Sequence, residues 1–334
     1  MILGENVESV YSVGREIQRV FSYGKLVWEK GDIDYSVRPF TVKAVDEKVS
    51  ITFKLRSYNY CTYFKYSING GEWVDNAGEF LSIVLKKNER VSIKSTTRDI
   101  YYCNISGLAD VYGNIMSLIY GDDFIGKTVW ERDYSVSPAT YPIGFFDESD
   151  IRSAENLVLP ATTLANACYE KMFLNCTSLT IAPKLPATKL STRCYWGMFQ
   201  GCTSLTTAPE LPATKLYNRC YSNMFDGCTS LTTAPTLPAT TLATYCYYAM
   251  FGGCTSLTTA PELPATRLAA YCYYYMFFRC ANLNYIKCYA NVIGDSIEGW
   301  TTGVSSTGTL VCDRTASQTL KGYIPSTWTV EYLN

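Results

Sequence analysis

Histidine is absent from this chain, and with it goes a whole class of chemistry. The usual general base near neutral pH, the mixed Cys/His zinc sets and every Ser-His or Cys-His nucleophilic pairing are excluded. Runs of lysine or arginine are also missing and the formal net charge is −1, so no surface is built to track phosphates and no nucleic-acid partner is expected. No stretch approaches the about 18 uninterrupted apolar residues of a membrane span. The opening Met1-Ile2-Leu3-Gly4-Glu5-Asn6 reaches a glutamate before any apolar run, which predicts neither a signal peptide nor membrane insertion. What remains is the composition of a folded chain: 334 residues, 47% hydrophobic and 18% charged, with 14 cysteines.

Sliding the chain on itself by 26 residues superposes Pro160, Pro186, Pro212, Pro238 and Pro264, each opening Pro-Ala-Thr-x-Leu. The same shift aligns Cys168, Cys194, Cys220, Cys246 and Cys272, each followed by tyrosine, then five Met-Phe pairs from Met172-Phe173 to Met276-Phe277. A second cysteine column follows at Cys176, Cys202, Cys228, Cys254 and Cys280. Identity at a fixed period is the mark of stacked units, none of which buries its own apolar face alone. Within a unit, Cys168, Tyr169, Met172, Phe173 and Cys176 fall on one stripe of an α-helix. That spacing predicts a helix over 168–176, with a threonine cap near Thr162 and a C-terminus at Gly201, Gly227 or Gly253 in the later units. Thr-Ser-Leu-Thr-x-Ala-Pro then predicts a brief strand ended by Pro183, Pro209, Pro235 or Pro261.

The eight-residue spacing within a unit is not that of close C-x-x-C zinc pairs, so the cysteines are read as packed, small apolar side chains; disulfides and metal are the alternatives. No cofactor is expected. Positions that vary between units mark faces that stacking does not dictate. They become aromatic toward the later units at Trp196, Tyr217, Tyr245, Tyr248, Tyr271, Tyr274 and Tyr275, which are the candidate ligand-binding residues. Tyrosine offers large contact area at low entropy cost with a hydrogen-bonding tip. Packing on a sister subunit and free drift are the competing explanations. The uniform pairs Thr206-Thr207, Thr232-Thr233 and Thr258-Thr259 point to a structural ladder instead.

The first half loses the repeat and shows β alternation, as in Val49-Ser50-Ile51-Thr52-Phe53-Lys54-Leu55. Asn69-Gly70 predicts a tight turn, and Leu81 to Lys94 reads as strand, turn and strand. Ahead of it, Val10-Tyr11-Ser12-Val13-Gly14 is echoed by Val20-Phe21-Ser22-Tyr23-Gly24, a duplicated β ribbon too small to hold a core by itself and so expected to dock onto something larger. The fold class expected is α+β and multidomain: a β ribbon over 1–31, a small β-sandwich over 32–104, a cap over 105–150, a leucine-rich-repeat-type α/β solenoid of 26-residue units over 151–281, and a second cap over 282–334. The acidic pairs Asp122-Asp123 and Glu148-Asp150 are read as turn chemistry, and no enzyme is expected.

The run from Cys194 to Thr214 resembles the leucine-rich repeats of BspA-like surface proteins of gut Bacteroides and of their phages and prophages. The segments Gly113 to Phe124 and Ile324 to Val330 are similar to those that bracket such repeats, so the resemblance covers most of 105–334. Tyr23-Gly24-Lys25-Leu26-Val27-Trp28 is similar to short segments of phage tail proteins. The resemblance implies a structural or adhesion protein of a virion tail, assembled in host cytoplasm. Its expected partners are other virion proteins through the N-terminal region and a host-surface glycan or protein, in a homo-oligomer or larger assembly. The alternative it implies is a bacterial cell-surface adhesin whose export signal is missing.

Overall fold

A computed structural model describes residues 9–13, 16–22, 25–29, 33–55, 64–76, 80–95, 100–128 and 144–333. The chain is a β-rich α+β protein with several sheets and, among the described residues, no closed barrel. Strands β1 (Ser9–Val13), β2 (Glu16–Ser22) and β3 (Lys25–Glu29) form an antiparallel sheet in sequence order.

Eight strands follow: β4 (Phe40–Ala44), β5 (Lys48–Leu55), β6 (Phe64–Ile68), β7 (Val74–Asn76), β8 (Phe80–Lys86), β9 (Arg90–Ser95), β10 (Ile100–Ser106) and β11 (Ala109–Asn114). They make two sheets, one ordered β10-β5-β8 and one that runs β11-β4-β9-β6-β7. Leu81, Ile83 and Leu85 alternate inward on β8, and Val91 and Ile93 do the same on β9, so each sheet turns one apolar face to the core. Phe40 and Phe53 meet edge to face at 6.2 Å between the two. Asn69 (φ 53°) and Gly70 (φ 76°) both adopt the left-handed conformation that the tight turn after β6 requires. The run Leu81 to Lys94 forms its two strands, yet they enter different sheets, β8 pairing with β5 and β9 with β4 and β6.

Strand β11 is where the ladder changes sense. One edge is antiparallel to β4, and the other is parallel to β12 (Ile151–Ser153) and β13 (Leu157–Val158). Parallel bridges then recur from unit to unit, as at Thr163 with Lys189, Thr207 with Thr233 and Thr259 with Tyr285. The series ends in the parallel sheet of β14 (Tyr285–Cys288), β15 (Thr309–Cys312) and β16 (Thr329–Tyr332). The expected threonine strands are thus reduced to single bridges, reinforced by hydroxyls: Thr229 Oγ1 donates to the Thr203 carbonyl and Thr255 Oγ1 to that of Thr229.

The helix expected over 168–176 and its equivalents does not form. Among the described residues, α-helix is confined to α1 (Ser117–Tyr120) and α2 (Ser317–Lys321). Each expected helix is instead a train of tight turns in which alternate amides serve different partners. Met198 N–H donates to the Tyr195 carbonyl three residues back, whereas Phe199 N–H donates to the Met224 carbonyl of the next unit. Left-handed residues recur at every fourth position: Arg193, Gly197 and Gly201, then Arg219, Asn223 and Gly227, then Tyr245, Ala249 and Gly253. Positive φ at that frequency is incompatible with an α-helix. A turn train of four-residue period places residues i, i+4 and i+8 on one side much as a 3.6-residue helix does, so the same stripe is buried by a different backbone. The alternative backbone also bonds neighbouring units through their amides, which a helix, satisfying its own, does not do. Thr162 accordingly caps nothing; its carbonyl accepts from Thr188 and Lys189 of the following unit.

One core runs through all of this. Phe64, Phe53, Phe40 and Phe146 carry it out of the paired sheets, and Phe173, Phe199, Phe225, Phe251 and Phe277 continue it to Trp300 at ring separations of 5.3 to 6.3 Å. A parallel file of buried tyrosines, Tyr169, Tyr195, Tyr221, Tyr247 and Tyr273, stacks at 5.9 to 6.1 Å. Each such pair adds about 1 kcal/mol beyond the area it buries.

Candidate ligand-binding face

The turn train presents two kinds of residue. Cysteine, tyrosine, methionine and phenylalanine point into the core. Cys194, Cys220 and Cys246 of the first column and Cys202, Cys228 and Cys254 of the second are buried free thiols. In the second column each thiol donates to the carbonyl of a phenylalanine one unit back, Cys228 Sγ to Phe199 and Cys254 Sγ to Phe225, both at 3.1 Å. Burial pushes the Cys194, Cys272, Cys280 and Cys288 thiols up to about 12. At neutral pH these groups are protonated, the wrong state for a metal ligand or a nucleophile.

The residues that vary between units occupy four columns in which the larger side chains are mostly half-buried, while Gly197, Ser222, Ala249 and Gly252 are buried and Ser222 Oγ donates to the Tyr245 carbonyl. The first holds Arg193, Arg219, Tyr245 and Tyr271; the second Trp196, Ser222, Tyr248 and Tyr274; the third Gly197, Asn223, Ala249 and Tyr275; the fourth Gln200, Asp226, Gly252 and Phe278. Of the seven candidate residues, five come together. Tyr245 stacks on Tyr271 at 4.8 Å and Tyr248 on Tyr274 at 5.9 Å, while Tyr275 stands edge to face against Tyr248, Tyr274 and Phe278. Gly299, with φ +64° and no side chain, leaves the room that the Tyr275 ring fills.

The other two stand apart from this patch. Trp196 has its ring under two cations, Arg193 at 4.2 Å and Lys171 at 5.0 Å, and its indole N–H donates to Asn223. It belongs to a polar network: Arg193 also pairs with buried Glu170, and Gln200 and Asn223 both donate to the Asp226 carboxylate. Burial raises Glu170 and Asp226, and these donors hold them back toward ionisation. Tyr217 is exposed at 38%, with Lys215 over its ring.

Stacking decides what the patch offers. Tyr245 has Tyr271 stacked on it at 4.8 Å and the Arg219 guanidinium 4.3 Å from its centroid, so its ring is engaged within the protein. Stacking leaves mainly ring edges, and the hydroxyls not bonded within the patch, for a partner. The Tyr274 hydroxyl is hydrogen-bonded to Tyr275 and Glu298, which puts a carboxylate at the patch border. Sequence reasoning omitted Phe278, Arg219 and Glu298 from the site. Phe278 was reachable, since it lies in the same variable column as Gln200 and Asp226, whereas Glu298 lies beyond the last clear repeat and carries no periodic signal.

The acidic pairs have structural partners: Asp122 is paired with Lys94, which lowers its pKa, and Asp150 accepts the Gly107 N–H at 2.9 Å. No family model matches the chain, and neither curated proteins nor solved structures give a match.

Proposed function

We propose that this chain is a non-enzymatic binding protein in which a solenoid of 26-residue leucine-rich-type units holds the tyrosine patch rigidly before a macromolecular ligand on a host cell surface. The observation that carries the reading is the contrast between columns. Inward positions repeat almost without change, whereas the four variable columns differ among the units and end in the aromatic set Tyr245, Tyr248, Tyr271, Tyr274 and Tyr275. Backbone bonds between units fix the spacing of these rings before any ligand arrives, so little ordering entropy is left to lose on binding. Phenol tips, with Glu298 at the border, favour a partner rich in hydroxyl and amide groups, such as a surface glycan.

The resemblance of the repeats to BspA-like proteins and of the N-terminal segment to phage tail proteins supports a place in a virion tail, with the N-terminal region as the attachment. Purified virions lacking this polypeptide by mass spectrometry would reject that placement. For the binding face, the full chain is titrated onto intact Bacteroides cells by flow cytometry. A Tyr271→Ala, Tyr274→Ala double variant is expected to lose about tenfold or more in apparent affinity while melting as a folded protein. Unchanged binding by the double variant rejects the tyrosine patch as the contact.

A further inference from the structure

A cavity of 460 Å³ opens between the segment that leads into β4, Lys43 near the end of that strand, the turn residues Asn69 and Asn88, Arg90 of β9 and Tyr112 of β11. Three cations line it, Arg38, Lys43 and Arg90, with Tyr35 and Tyr112 as an aromatic wall and no carboxylate among the lining residues.

The Lys43–Arg90 pair is costly without a counterion. Lys43 stands directly opposite Arg90 in the antiparallel β4–β9 ladder, and like charges at directly opposed positions repel. The two acids next to them in the sheet make contacts of their own. Asp110, opposite Lys43 on β11, takes both Nε and Nη2 of Arg152 at 2.9 and 2.6 Å, and Glu89, adjacent to Arg90, accepts the Lys86 N–H at 2.8 Å. Among the described residues neither Lys43 nor Arg90 forms an ion pair; Arg90 is hydrogen-bonded to the Tyr112 hydroxyl.

The walls are rigid for reasons independent of any ligand. Asn69 N–H donates to the Arg90 carbonyl and Arg90 N–H to Asn69 Oδ1, while Asn88, at φ 68°, is tied to Ala44. Tyr35 and Tyr112 hold one another edge to face at 5.5 Å. A guanidinium presents paired donors that match a carboxylate, sulfate or phosphate, and an adjacent phenol ring gives a flat contact for the body of the molecule. We propose that this cavity binds a small anionic ligand of sugar size, its charged group held between Lys43, Arg38 and Arg90 and its ring against Tyr112.

Calorimetric titration of the full chain at low ionic strength tests this with four probes: glucose 6-phosphate, galactose 6-sulfate, glucuronate and neutral glucose. At least one anionic probe is expected to bind in about the millimolar range, glucose not at all, and the Arg90→Gln and Lys43→Gln variants about tenfold or more weaker. Both substitutions lie on the outward sheet face, so an unchanged melting temperature separates loss of binding from loss of fold. Which probe binds identifies the anion. Failure of all three anionic probes, equal binding of glucose, or binding indifferent to both variants overturns the proposal, and none of these results bears on the tyrosine patch.

Discussion

Cys228 combines two roles that the sequence does not distinguish, filling core volume and donating its thiol to the Phe199 carbonyl of the preceding unit. Cys228→Ala removes both the volume and the bond and is expected to cost about 1–3 kcal/mol. The thiols also set a pH limit on the fold. Those of Cys194, Cys272, Cys280 and Cys288 sit near 12 when folded, against an ordinary value of 9.0. Their protonated state is favoured in the folded chain, so the stabilisation is complete below pH 9 and falls away as pH rises toward 12. Between those limits each such thiol removes about 1.4 kcal/mol per pH unit, because the unfolded state there binds fewer protons. Urea unfolding at a series of pH values should therefore give a flat midpoint up to pH 9 and a steep fall above it. A midpoint that rises above that pH contradicts the buried, neutral thiol columns.

At the scale of the element, one substitution separates a turn train from a helix by its sign. Gly197, inside the stripe that the spacing reads as a helix over 194–202, has φ +60°, and a Cβ added there would meet the flexible side chains of Gln200 and Lys171 at 3.2 Å. Those side chains can yield, so the main cost is conformational. Gly197→Ala is expected to destabilise the chain by about 1–2 kcal/mol, the penalty of a left-handed alanine. In a helix interior the same change stabilises by about 1 kcal/mol. Gly197→Asn, with a residue that tolerates the left-handed region, should lose less than the alanine variant. The measurement is a chemical denaturation midpoint, and a stabilised alanine variant would restore the helical reading.

Across the whole molecule, the phenylalanine file and the parallel bonds tie the paired sheets to the units that follow, with β11 belonging to both. Because each unit repeats the contacts of its neighbour, excision of residues 209–234, one full 26-residue period, should bring Phe199 against Phe251 and leave a shorter folded chain. Excision of half that length puts outward residues where the core file should be and is expected to unfold the region. Small-angle scattering and thermal melting distinguish the two. An in-register deletion that fails to fold would show that the units are not interchangeable.

The repeat period, the identity of the buried stripe, the tight turn at Asn69-Gly70 and the alternating strands of the first half were all present in the one-dimensional pattern, because burial imposes a period on residue type whatever backbone delivers it. The backbone itself was not. A stripe at i, i+4 and i+8 fits both a helix and a four-residue turn train, and only contact with the next unit, which takes up alternate amides, selects between them. The same holds for the two surfaces. Sequence picked out the outward tyrosines, but it took the stacked units to gather five of them into one patch, to turn their faces toward each other and to leave Trp196 in a polar network of its own. The cationic cavity left no trace in the pattern, since Arg38, Lys43 and Arg90 are scattered along the chain and meet only through strand pairing.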